Sequence, residues 1–335
     1  MHAALHDRAH ATRVSLGLVI PGIVLLWLDR PALLIFAVFG SFAGMYGRAE
    51  SRSVRLLHQS QGALLLLGGT AVGIVLSRTH AAPPTVVVVA TIFALGGSLL
   101  ADFFALRPEG PFYGTFALGA IAGVSAIRAT PWECWGIAAA SAALAIVIGL
   151  VAADPTRPDR ITVVAAVRGQ RDRERQAAFL HAARYVLAIA AAGAGAYALG
   201  LGHVNWAIAG AAVTLAAADP RGRLRRGIQR VVGTLAGLAV TALVLAPGLP
   251  PRTLAIIVIC LIFPTELFMS VNYALALSFF TPMIMLMTEL AQPIGVRELI
   301  TSRALGTMVG VVVGVVVTAL VRDPRSWSGK DSDVD

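Results

Sequence analysis

Three carboxylates stand within or at the ends of long apolar runs: Asp102, Glu266 and Glu289. Charge is costly in lipid, so ionisable residues placed there usually mark a route for ions or substrate. A carboxyl in low dielectric keeps its proton to higher pH and can load and release it near neutrality. These three are therefore the candidate proton carriers. Two arginines follow a second pattern, Arg230-x-x-Gly-Thr-x-x-Gly237 and Arg303-x-x-Gly-Thr-x-x-Gly310. A guanidinium beside glycine-exposed backbone can hold a carboxylate through paired hydrogen bonds. Anchoring to lipid phosphate is the alternative use of an arginine at the start of a span. Thr281, between Phe279-Phe280 and Pro282, sits at an expected helix kink and is the third candidate to touch substrate. Pro264-Thr265 is expected to break the helix beside Glu266.

The elements that must position these groups are apolar. The chain is 57% hydrophobic and 13% charged, whereas soluble domains carry roughly 25% charged residues. Twelve apolar runs can be drawn, at roughly 14–28, 32–46, 61–77, 84–104, 111–127, 132–152, 184–200, 203–218, 228–246, 253–269, 271–290 and 303–321. They lack the alternation of barrel strands and are rich in Ala, Leu and Gly. The expected fold is therefore all-α, a polytopic membrane protein of about twelve transmembrane helices. The N-terminal run has arginines ahead of it but no small-x-small cleavage site after it, so it is expected to stay as the first helix. Most of the 27 basic residues fall in the segments that are cytoplasmic if both termini are inside. Basicity of this kind sets topology and meets anionic head groups; it does not point to nucleic acid.

The chain repeats itself at half-length. Asp102 and Glu266 lie 164 residues apart. The same offset carries Gly69-Thr70-x-x-Gly73 onto Gly233-Thr234-x-x-Gly237, Phe104 onto Phe268 and Pro83 onto Pro247. The expected organisation is a six-helix half over 1–152, a polar linker over 153–183, a second six-helix half over 184–321 and a disordered tail over 322–335. Two departures stand out. Leu66 occupies the first-half position of Arg230, and Glu133-x-x-Gly136 stands where a second arginine motif would be.

The remaining motifs read as packing or chance. Gly-x-x-x-Gly spacings at 40–44, 69–73, 119–123, 233–237 and 306–310–314 suit close helix approach in lipid. Cys134 and Cys260 share no spacing motif and are expected to be small buried hydrophobes. His2, His6 and His10 share a helix face at an end expected to be exposed, which is at best a weak metal site. HExxH, GxSxG and Walker lysine motifs are missing, so nothing recommends an enzyme, an ATP-driven pump, a cofactor or a metal centre.

The second half resembles a known family. His203-Val-Asn-Trp206-Ala-Ile-Ala, the two arginine motifs and Phe280-Thr-Pro282 occur in the order seen in the fusaric acid resistance and aromatic acid exporter family, over about 184–321. Plant aluminium-activated malate transporters are distant relatives in that group. The resemblance implies export of small organic anions, often aromatic carboxylates, driven by the proton gradient. Family members often carry a large cytoplasmic region between the halves, where this chain has only about thirty residues. The expected protein is thus a multi-pass transporter of a bacterial inner membrane, its partners anionic lipid and a small organic anion, with a homo-oligomer allowed. Its rivals are a passive anion channel, a major-facilitator carrier and a non-transporting scaffold for envelope-related partners.

Overall fold

The computed structural model describes residues 2–47, 51–104, 106, 110–124, 129–152, 175–215, 220–269 and 271–321. The described residues form helices joined by turns, with no strand among them. In chain order the helices are α1 (His2–Trp27), α2 (Leu34–Ser41, flanked by 3-10 turns Pro31–Leu33 and Phe42–Met45), α3 (Arg52–Arg78), α4 (Pro83–Phe103), α5 (Phe112–Ala122) and α6 (Pro131–Val151). The second series is α7 (Arg175–Ala198), α8 (Asn205–Leu215), α9 (Pro220–Leu245), α10 (Pro251–Met269), α11 (Tyr273–Ala291) and α12 (Val296–Leu320). Most of the expected linker and the whole expected tail lie outside the described residues.

Nine of these helices are long and apolar enough to cross a membrane. Among the described residues the runs at 32–46, 111–127 and 203–218 carry only shorter helices, so the expected twelve spans are not all seen there. An 11-residue helix reaches only ~16 Å, against a hydrocarbon core of ~30 Å. The short helices are apolar for a different reason. Every residue of α2 and of α8 is buried, as is Gly114–Ile121 of α5. They meet protein, so nothing requires them to match the bilayer. α11 joins them, buried without a break from Phe280 to Thr288. The long helices sheathe this inner group and turn apolar side chains outward, among them Leu64, Val75, Ile92, Leu243 and Val312. Trp27 and Trp132, each 83% exposed, stand at helix ends in the manner of interfacial anchors.

Glycine makes the close crossings. A Cβ on Gly69 would overlap the Gly114 carbonyl oxygen, and one on Gly233 would overlap the Ala274 carbonyl oxygen. These faces seat α3 on α5 and α9 on α11. Likewise Gly40 meets the Ala138 carbonyl across α2 and α6, while Gly310 meets the Ala207 carbonyl across α8 and α12. The two series are also laced together: α4 packs on α7, and α10 packs on α1.

Two local expectations are corrected. Pro264 lies within an unbroken α10, where Thr265 donates its hydroxyl to the Leu261 carbonyl at 2.8 Å. Neighbouring hydrogen bonds absorb the one that proline cannot make. Cys134 is buried as expected, but Cys260 is exposed on the outer side of α10.

Candidate functional site

Arg303 and Arg230 are not surface anchors; they are 0% and 1% exposed. Arg303 lies about 10 Å along α12 and Arg230 about 15 Å along α9, each a turn ahead of its Gly-Thr pair. The glycines press α12 onto α8 and α9 onto α11, and this holds both guanidinium groups inside the protein. Arg303 Cζ sits 4.3 Å from the Trp206 ring centroid. Arg230 donates to the Tyr273 hydroxyl at 3.3 Å and lies 6.0 Å from the Phe112 ring. The two cations are close enough to act on each other, and Tyr273 acts on Arg303 as well. Arg226, one turn before Arg230, covers the Tyr273 ring at 4.6 Å.

What these groups lack is an acceptor. Among the described residues, Nε and both terminal nitrogens of Arg303 have no hydrogen-bond partner, nor do Nε and one terminal nitrogen of Arg230. The indole nitrogen of Trp206 and the hydroxyls of Thr234, Thr281 and Thr307 are also buried without one. Elsewhere in these helices threonine hydroxyls satisfy themselves on the carbonyl four residues back, as Thr241 and Thr288 do. Magnitudes decide what this means. A desolvated cation–π contact contributes about 2 kcal/mol, while burying an ion costs several kcal/mol after relaxation. Arginine cannot shed its proton. Trp206 alone therefore does not offset the burial of Arg303, whereas an anion with two acceptor oxygens would.

Aromatic rings from all four inner helices meet beside this cationic group. Phe116 of α5 lies 5.5 Å from Phe39 of α2, 5.9 Å from Phe280 of α11 and 6.4 Å from Trp206 of α8. Phe42 closes the set at 6.0 Å from Phe280. Thr281 is buried next to this centre, packed against Gly237.

The carboxylates take three different places. Glu266 is 2% exposed, near the end of α10, with His10 Nε2 3.5 Å from its Oε2. The Arg13 guanidinium donates to the other ring nitrogen of His10 at 2.7 Å. His10 therefore does not belong to an exposed, metal-binding tail; α1 is continuous through it and buries it. Asp102 is about one-fifth exposed and pairs with His181 Nδ1 at 3.1 Å. Glu289 is apart from both, accepting the Ile294 backbone N–H at 3.1 Å and so closing the turn after α11. Tyr113 links the acidic and basic regions, within electrostatic reach of Glu266, Tyr273 and Arg226. In the turn before α8, burial holds the His203 imidazole below its ordinary range, opposed by the Glu298 carboxylate. No group of three or more metal-ligating side chains occurs among the described residues.

Sequence reasoning named the arginines and acids, placed His10 only on an exposed histidine face, and missed His181, Tyr113 and Tyr273. One signal was available: His10-Ala-Thr-Arg13 recurs as His181-Ala-Ala-Arg184.

Residues 186–317 match the family model described as fusaric acid resistance protein-like. Both arginines, Trp206, Glu266 and Tyr273 fall inside that segment. Neither the curated proteins nor the solved structures include a match to the chain.

Proposed function

We propose, on the premise that residues 186–317 are a fusaric acid resistance protein-like domain of a multi-pass membrane protein, that the chain is a secondary transporter exporting small organic anions. Aromatic carboxylates are the substrate class. One observation carries the reading: Arg303 is wholly buried, and its guanidinium faces no acceptor among the described residues. A carboxylate would bind across Arg303 and Arg230, and its ring would stack against Trp206 and Phe112. Glu266 and Asp102 carry the coupled proton. Two duplicated halves form the frame; the reciprocal packing of α4 on α7 and α10 on α1 supports that reading. The ring cluster across the four inner helices favours a closed, alternating carrier over a permanently open channel.

The test is flux in proteoliposomes with benzoate, acetate and malate as probes. Benzoate should move fastest, against its own gradient when a pH gradient is imposed. Arg303→Gln should lose that flux, and Glu266→Gln should lose its pH dependence. An anion current reversing at the Nernst potential with no proton contribution would establish a channel instead. Silent liposomes, together with loss of partner pull-down on deleting Arg168–Arg175, would favour the scaffold.

A further inference from the structure

The two acid–histidine pairs are built alike. In each, an acid near the end of α4 or α10 faces a histidine near the start of α7 or α1. Glu266 of the second series meets His10 of the first, and Asp102 of the first meets His181 of the second. An arginine follows each histidine by three residues: Arg13 donates to His10, while Arg184 donates to the Val321 carbonyl at 2.8 Å. The pairs differ in solvent access, with side chains 4% and 3% exposed at His10–Glu266 and 20% and 22% at His181–Asp102.

We infer that His10 and His181 are the proton-exchange partners of Glu266 and Asp102, each presented by the first helix of the opposite half, so that proton occupancy is read at the junction between halves. This rests on the transport reading for its purpose but not for its chemistry. Imidazole is the side chain whose ordinary titration spans physiological pH. The step is a single proton transfer: an imidazolium N–H gives its proton to a carboxylate oxygen, leaving neutral imidazole and neutral carboxyl. In the geometry seen here the His10 ring is neutral, Nδ1 accepting from Arg13 and Nε2 turned to Glu266; the imidazolium forms when Arg13 releases Nδ1 and that nitrogen takes up a proton, after which Nε2 gives its own to Glu266. Tyr113 of α5 lies within electrostatic reach of Glu266, and the Tyr46 ring meets Tyr113 edge-on with centroids 6.1 Å apart. At the second pair the Tyr185 ring lies edge-on to His181, with centroids 5.1 Å apart. Because the first pair is dry, its two members should depend on each other more strongly.

The experiment is an infrared pH titration of the purified full-length protein, following protonated-carboxyl bands assigned with Glu266→Gln and Asp102→Asn. His10→Gln should move the Glu266 midpoint by one pH unit or more, and His181→Gln should move the Asp102 midpoint by less. If His10→Gln does not fold, His181→Gln carries the test, with any resolved shift counting in favour. Unchanged midpoints overturn the inference, even with pH-driven benzoate flux intact. Shifted midpoints in a protein that moves no benzoate would overturn the transport reading and leave the pairs standing.

Discussion

Two glycine-threonine faces can be compared within one molecule. On α3, Gly69 and Gly73 press against α5; on α9, Gly233 and Gly237 press against α11. The residue three before the first glycine is Leu66 in one and Arg230 in the other, and both are buried. The α6 and α12 faces differ in the same way. Ala138 meets Gly40 through its carbonyl, and Thr307 meets Gly210 through its own. One turn earlier stand Cys134 and Arg303, again both buried. Leucine and cysteine show that this packing needs no charge. The arginines of the second series are therefore a burden on stability, and under the proposed transport reading a bound anion is the physical reason to keep them.

The largest effect expected from breaking this contrast is on binding. Arg303→Leu should weaken benzoate binding by about 100-fold or more, since truncating a buried charge partner costs ~2–5 kcal/mol. Calorimetry on the detergent-solubilised protein checks this. The same variant should unfold at equal or higher temperature, because an apolar group in place of an uncompensated buried ion is neutral or stabilising by about 1–4 kcal/mol. A lower melting temperature would mean that Arg303 holds the fold together. Leu66→Arg runs the contrast in reverse. It puts an unpaired cation into the dry face and should destabilise by several kcal/mol, read as a lowered melting temperature. Gly69→Ala and Gly233→Ala should then be equally harmful, at about 1–3 kcal/mol each, because both would meet a carbonyl oxygen. Unequal losses would show that the faces are not equivalent as packing surfaces. Thr130→Ala, which removes the capping box at the start of α6, should cost only about 1 kcal/mol.

Much of this was readable from residue types. Helical class and the glycine crossings follow from composition and spacing, because lipid and close packing both select small and apolar residues. Arg303 and Arg230 could be named, but their depth could not. An arginine a few residues into an apolar run reads the same whether it snorkels or is sealed under a neighbouring helix. Asp102 and Glu266 were recognisable as acids out of place, while their partners were hidden. His10 lies 256 residues from Glu266, and only the packing of α1 on α10 joins them. Glu133 was noticed as standing where an arginine was expected. Its actual work is local, capping α6 and pairing with Arg30 at 2.9 Å on the exposed surface. The short helices could not be told from spans because hydropathy measures apolar character without saying whether lipid or protein will cover it.

That last feature has a consequence for how the protein meets its surroundings. α2 and α8 touch no lipid along their whole length. A thinner or thicker bilayer would therefore be met by tilting of the long outer helices, at fractions of a kcal/mol per ångström. The aromatic centre would keep its spacing, as an axle does while its rim flexes.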